Sequence, residues 1–296
     1  MDMDSIARVR RFNRIVTAEV GALDTSFLSR GRPLGAARVL NAIGRGIADV
    51  AAIRDELRLD SGLLSRLLRA LESEHLIELA PSPQDGRRRT ASLTQAGRAE
   101  FEAYEHLSNQ RATTLLSGAR DASPLLDAMD TVAIALGRDR IQIADADPLS
   151  WQATSCLADY YGELNARFAA GFDVEKSRAP DPKRLSRPNG AFLIASLDDI
   201  PVGCVIVQAL DREAGVAEVK RLWVSTTARR QGLAKALMDA AEQAAREMGF
   251  RTLRLDTNSA LPEAAALYRR TGWTEIEPFN DDPYAEVFFE KKLSAV

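Results

Sequence analysis

Near Gly137 the apolar rhythm of this chain changes, and no single fold satisfies both sides of the change. From Ile6 to about Leu136 the apolar residues recur at helical spacing with little strand character, so residues 1–137 read as a mostly α-helical domain. After Arg138 helical stretches alternate with β-rich runs. Ala191-Phe-Leu-Ile-Ala195 and Val202-Gly-Cys-Val-Ile-Val-Gln208 read as strands joined by the polar turn Leu197-Asp-Asp-Ile200. Val216 to Val224 is the next strand, after the turn Asp211-Arg-Glu-Ala-Gly215. The expected architecture is therefore α+β in two domains, 1–137 and 138–296, each long enough to bury its own core.

Composition narrows the function class. An apolar fraction of 46% with 27% charged residues is that of a water-soluble globular chain. No run is apolar enough to span a bilayer, and Met1 to Arg14 carries charges where a signal peptide has its apolar stretch, so a cytoplasmic protein without membrane partners is expected. Cys156, Cys204, His75 and His106 are too few and too scattered for a disulfide framework or a metal site. Residues 1–137 hold 18 Arg, no Lys and 18 Asp plus Glu, so that half is electrically neutral. Any nucleic acid it binds must be held by locally placed arginines.

The densest chemistry lies between Glu218 and Gly249. A strand, Glu218-Val-Lys-Arg-Leu-Trp-Val224, is followed by the turn Arg229-Arg-Gln-Gly-Leu-Ala234, which opens an amphipathic helix with Leu233, Ala236, Leu237, Ala240, Ala241 and Ala244 on one face. A small-residue turn at a helix N-terminus points unpaired backbone N–H groups and the positive end of the helix dipole at one spot, which suits a pyrophosphate. Gly232 and Ala234 keep side chains out of its way.

Arg229-x-x-Gly232-x-Ala234 resembles the (Gln/Arg)-x-x-Gly-x-(Gly/Ala) signature of the GNAT superfamily of N-acetyltransferases. Two further blocks follow in that family's order: Leu253-Arg-Leu-Asp-Thr-Asn258, then Ala264-Ala-Ala-Leu-Tyr268 leading to Gly272-Trp273. The resemblance covers nearly all of 140–293 and implies an α/β domain with a mixed twisted sheet that uses acetyl-CoA and no metal. It implies that the backbone of Leu222 and Val224 pairs with the pantetheine arm. It also implies that amides of Arg229, Arg230, Gln231, Gly232, Leu233 and Ala234 hold the pyrophosphate, and that Asn258 touches the pantetheine. Tyr268 would be the general acid for the departing thiolate. Glu218, fourteen positions before Gly232, stands where many members carry the glutamate that deprotonates the amine. A carboxylate raised in pKa by burial suits that task. Side chains alternate along a strand, however, so Lys220 shares its face and an exposed Glu218–Lys220 ion pair is the competing reading.

The expected acceptor is a small, amino-acid-like amine. The segments from Asp159-Tyr-Tyr-Gly-Glu-Leu-Asn-Ala-Arg167 to Asp173, and Pro278-Phe-Asn-Asp-Asp-Pro-Tyr284, are aromatic and polar and suit a small molecule better than a peptide groove. Arg167, Lys220 or Arg221 could clamp a substrate carboxylate, with Tyr284 beside it.

In the N-terminal half, Gly46 to Leu57 reads as a short helix and Leu59-Asp-Ser-Gly62 as a turn. Asp60 or Ser61 then caps a second helix that keeps Leu64, Leu67, Leu68 and Leu71 on one face and Ser61, Ser65, Arg66 and Arg69 on the other. That is the pattern of a helix-turn-helix. A hairpin follows, with Arg87, Arg88 and Arg89 near its tip, and Asp85-Gly-Arg87…Leu93-Thr94-Gln-Ala-Gly97 resembles the wing of the MarR family. The resemblance implies a winged helix-turn-helix that dimerises through its terminal helices and binds double-stranded DNA. Recognition residues Ser61, Ser65, Arg66 and Arg69 would enter the major groove, and wing arginines Arg87 and Arg88 would meet the minor groove or phosphates. Two other functions fit the same sequence: a regulator whose second domain only senses acetyl-CoA or a metabolite, and a protein lysine acetyltransferase.

Overall fold

A computed structural model describes residues 3–83, 85–177 and 181–294. The chain divides into two compact units, Met1–Ala122 and Ser123–Val296.

The first unit contains helices α1 (Met3–Glu19), α2 (Leu34–Gly44), α3 (Val50–Leu57), α4 (Ser61–Ser73) and α5 (Gln95–Ser117), with a hairpin of β1 (Ile77–Pro81) and β2 (Arg89–Leu93) before α5. Asp49 caps α3 by accepting from Ala52 N (3.1 Å), and Asp60 caps α4 by accepting from Leu63 N (2.8 Å). The stripe read from the sequence is the packed one. Leu64, Leu68 and Leu71 are buried against Val39, Leu40, Ile53 and Ile77, with Leu67 partly covered. The Leu93-Thr94-x-x-Gly97 pattern has a mechanical basis. Thr94 Oγ1 accepts from Gly97 N (3.0 Å) to cap α5 and donates to His75 O (2.7 Å), which fixes the helix to the end of α4. Gly97 lies so close to that turn that a Cβ would sit 1.8 Å from the Leu76 carbonyl oxygen. The hairpin tip includes Gln84, which is outside the described residues.

The second unit starts earlier than Gly137. Helix α6 (Ser123–Gly137) belongs to it because Ile134 is buried in the same core as Leu197 and Val202. Helical periodicity continues across that junction, so the rhythm alone displaced the boundary. The remaining elements are β3 (Gln142–Asp145), α7 (Trp151–Arg167), β4 (Gly190–Leu197), β5 (Ile200–Asp211), β6 (Val216–Val224), α8 (Leu233–Glu247), β7 (Thr252–Thr257), α9 (Pro262–Arg270), β8 (Thr274–Ile276) and β9 (Val287–Lys292). They form a seven-stranded mixed sheet in the order β3-β4-β5-β6-β7-β9-β8, antiparallel except for β6 beside β7. Asp198 and Asp199 both have positive φ (50° and 66°), which is what a two-residue turn needs to match the twist of β4 and β5. These strands are buried on both faces. Val205 and Val207 meet Leu237 and Ala241 of α8, while Cys204 and Ile206 meet Ala153 and Cys156 of α7. The two cysteines are therefore core residues. Among the described residues no helix is long and apolar enough to cross a membrane.

Replacing Gly97 by Ala forces its methyl into the Leu76 carbonyl, a backbone atom that cannot swing away. Thermal or urea unfolding should show a loss of about 1–3 kcal/mol. An unchanged midpoint would show that the α4–α5 junction relaxes freely.

Candidate functional site

Strand β6 leaves its parallel neighbour almost at once. It pairs with β7 only over Val216↔Thr252, Ala217↔Leu253 and Glu218↔Arg254. On the β5 side the register slips between Cys204↔Trp223 and Ile206↔Lys220, and Arg221 inside that bulge has φ 56°. A bulge bends a strand and increases its twist. From Lys220 onward β6 therefore turns away from β7, and the main chain of Leu222 and Val224 has no strand beside it on that side. The opened wedge is a cleft whose outer part is lined by Leu222, Val224, Arg229, Arg230, Gly232 to Lys235, and by Leu261, Ala264 and Leu267.

The floor of this outer cleft is the start of α8. Gly232 is its N-cap at φ 83°, with no side-chain cap, and beyond its own chain neighbours no atom stands within 4 Å of where its Cβ would be. The first helical bond runs from Ala236 N to Gly232 O (3.1 Å). The N–H groups of Gly232, Leu233, Ala234 and Lys235 therefore have no acceptor among the described residues. A group of converging donors at the positive end of a fifteen-residue helix fits an anion of the size of a diphosphate. The Arg229 side chain does a different job from its backbone. It donates to Val224 O (3.0 Å) and pairs with Glu163, tying the loop to α7. Gln231 adjoins these amides but does not line the cleft.

The inner end of the wedge narrows to a cavity bounded by Tyr160, Phe168, Phe172, Lys220, Arg221, Asp256, Asn258, Tyr268, Asp282 and Tyr284. It shares Tyr160, Leu164, Leu222, Leu261 and Ala264 with the outer cleft, so the two adjoin. Tyr268 is 5% exposed, and its ring rests on Trp273 and Phe289. Its hydroxyl makes no hydrogen bond among the described residues, and burial holds its pKa well above the ordinary phenol value. The proton stays on oxygen, available to be donated.

Glu218 is not at this cavity. It is fully buried, its Oε2 accepts from Gln208 Nε2 (2.9 Å) and its Oε1 from Lys220 Nζ (3.2 Å). The competing reading, an ion pair with Lys220, is the one the structure has, but inside the protein rather than at its surface. Two carboxylates do line the cavity: Asp256, two residues before Asn258 on β7, and the buried Asp282, whose Oδ1 accepts from Tyr284 N (3.0 Å). Asn280 Nδ2 donates to Asp256 Oδ1 (2.9 Å), while Asp256 Oδ2 has no hydrogen bond among the described residues. Burial raises its pKa, with Lys220 and the Asn280 bond opposing. Sequence reading missed Asp256 because the motif draws attention to Asn258. The polar position was nevertheless legible, as Leu253, Leu255 and Thr257 take the opposite, buried face.

The remaining predicted residues separate into three groups. Asn258 lines the cavity, but its side chain braces the loop, donating to Tyr284 O (2.9 Å) and accepting from Ala260 N (2.9 Å). Tyr284 stacks on Phe168, meets Phe172 at a tilt and accepts from Asp173 N through its hydroxyl (2.9 Å), which closes the cavity wall. Arg167 is committed elsewhere, to Glu163, Glu263 and the Ala260 carbonyl at the outer cleft, so it is not a clamp for the inner cavity.

In the first unit Ser61, Ser65, Arg66 and Arg69 are all exposed on one side of α4, as the stripe required. Arg87 is exposed in the hairpin. Arg88 is not a free wing arginine: its Nη2 bonds Asp49 Oδ2 (2.5 Å) and ties the hairpin to the start of α3.

Comparison with known proteins agrees with both units. The Acetyltransferase (GNAT) family profile matches residues 157–273, and the MarR family profile matches 30–88. The chain is 31% identical over 159 residues to an "IAA acetyltransferase" of Azospirillum brasilense, spanning 52% of this chain and 98% of that protein. It is 33% identical over 116 residues to the uncharacterized N-acetyltransferase YsnE of Bacillus subtilis, spanning 38% of this chain and 75% of that protein. A solved GNAT-family acetyltransferase from Staphylococcus aureus is 19% identical with a TM-score of 0.44, covering 52% of this chain and 99% of that one. The chain belongs to the GNAT acetyltransferase family: it is an acyltransferase whose catalytic unit follows a MarR-family winged-helix unit.

Proposed function

We propose that the second unit transfers an acetyl group from acetyl-CoA to a small amine, and that the first unit binds DNA as a homodimer. One observation carries the enzymatic reading. Two groups with no hydrogen-bond partner among the described residues, Tyr268 Oη and Asp256 Oδ2, line one cavity that adjoins the cleft of unpaired α8 amides. Acetyl-CoA supplies the acetyl group as a thioester, which a neutral amine attacks with loss of the thiol. The amides from Arg230 to Lys235 hold its pyrophosphate, and the open edge of Leu222 and Val224 pairs with the pantetheine amides. Asp256 Oδ2 takes the proton that the amine must lose before it can attack. Tyr268 gives its proton to the departing sulfur and later regains one through the cavity. Glu218 holds the Lys220 ammonium beside Asp256 and so acts as a positioning residue. The ring of Tyr160, Phe168, Phe172 and Tyr284 encloses the acceptor, which favours a small molecule over a protein lysine.

Steady-state thiol release with a panel of small amines tests this reading. Tyr268→Phe should lower kcat by about a hundredfold while calorimetry shows acetyl-CoA binding intact. Amine-independent background alone, with acetyl-CoA still bound, would leave a sensor in place of an enzyme.

Asp256→Asn gives a second test through pH. The base must be deprotonated, so kcat/KM falls as pH drops through the Asp256 pKa. Burial places that acidic limb above the usual aspartate range. The variant should lose both the limb and most of kcat. A wild-type limb surviving in the variant would remove Asp256 from the mechanism.

For the first unit, α1 has no buried residue, yet Ile6, Val9, Phe12, Ile15 and Val16 lie exposed along it. An apolar helix row in water is a surface that a second copy covers. With Arg66 and Arg87 exposed on α4 and the hairpin, we expect Arg66→Ala and Arg87→Ala each to weaken DNA binding. A lost phosphate contact should also reduce the salt slope by about one. Affinity and slope both unchanged would refute DNA recognition by this face.

A further inference from the structure

We infer that the acceptor carries a carboxylate and that Arg221 is its anchor, so the substrate class is an aminocarboxylate rather than a simple amine. This rests on the reading of the inner cavity as the acceptor site. Three cationic side chains near the wedge are matched by acids: Arg167 by Glu163 and Glu263, Arg229 by Glu163, and Lys220 by Glu218. Arg221 is not. It is 8% exposed and forms no ion pair among the described residues, although Asp256 and Asp282 line the same cavity. Its Nε donates to Tyr161 Oη (3.3 Å) and its Nη2 to Ser177 Oγ (3.1 Å), and the guanidinium lies over the rings of Tyr160 and Tyr161 at 5.6 and 5.3 Å. These neutral partners orient the group without neutralising it.

A buried cation with no counter-ion is costly, and so is a left-handed arginine inside a strand. Both costs fall on this one residue, at the bulge that opens the cleft. The charge cost is offset when an anion enters, and the backbone conformation sets the side chain at the cavity where that anion would sit. A carboxylate matches the planar guanidinium, which retains further N–H donors beyond the two already used. Asp256 lines the same cavity, so the site offers a cation for the acid end of the acceptor and a proton acceptor for its amine end. The aromatic walls, Phe168, Phe172 and Tyr284, suit an apolar body between the two.

Matched pairs that differ only by the carboxylate test this with the full-length protein: L-phenylalanine against phenethylamine, L-leucine against 3-methylbutylamine, and β-alanine against ethylamine. For any pair turned over, kcat/KM should favour the acid by about 10- to 100-fold, the effect of a charge-assisted hydrogen-bonded pair. In Arg221→Gln the acid-to-amine ratio should collapse toward one, with acetyl-CoA binding by calorimetry as the control for folding. Amines used as well as their acids, or a ratio unchanged in Arg221→Gln, would overturn the assignment. If no amine is turned over, the transfer reading fails separately, and the anchor is judged on melting temperature. Phenylacetate and N-acetyl-L-phenylalanine should raise it in wild type beyond sodium chloride of equal ionic strength, and should not do so in Arg221→Gln. Absence of that difference overturns the anchor. Arg221→Met, which removes the unmatched charge, should melt at or above the wild-type temperature. A marked fall would assign Arg221 a structural role instead.

Discussion

The divergence of β6 from β7 after three paired residues is the constraint on which the catalytic unit is organised. A continuous parallel pair would bury the main chain of Leu222 and Val224 in hydrogen bonds and leave no room before α8. The bulge at Arg221 prevents this. It turns the strand outward, exposes one polar main-chain edge, and leaves the start of α8 facing open space. Outer and inner parts of the cleft are thus consequences of one backbone event, and the residue that adopts the strained conformation also contributes a side chain to the cavity.

Division of labour among charged groups follows from that geometry. Acids on α7 and α9 fix arginines at the rim, where Glu163 holds both Arg167 and Arg229. Farther in, Glu218 and Lys220 satisfy each other in a fully buried pair, which costs little only because each has its partner. What remains on the cavity wall is a small set of groups whose hydrogen-bonding capacity is unspent. In a well-packed protein such groups are rare, so their convergence carries information.

Much of this was legible in the sequence because it depends on local rules. The change of apolar period separated the two units, the Asp-Asp turn placed β4 beside β5, and Gly232 marked the helix start. The Leu stripe of α4 was likewise local, as was the Leu93-Thr94-x-x-Gly97 pattern that carried the family resemblance. Three things were not local. The extent of the catalytic unit depends on Ile134 packing near Leu197, which lies far along the chain. Whether Glu218 or Asp256 meets the cavity depends on where β6 and β7 part. Which arginine is free depends on acids from other elements, so Arg167 read as a clamp until its partners Glu163 and Glu263 were in place.

The uncapped start of α8 has a consequence for how such a protein diversifies. In the proposed reading, recognition of the donor there depends on peptide groups, which every residue except proline supplies, so most neighbouring side chains could drift without loosening the grip. On the same reading, acceptor choice lies instead in the side chains of α7 and of the segment before β9, on a different part of the chain. The two can change independently. One donor-binding frame can thus be kept while the acceptor pocket is rewritten, which fits wide divergence of sequence at a constant core chemistry.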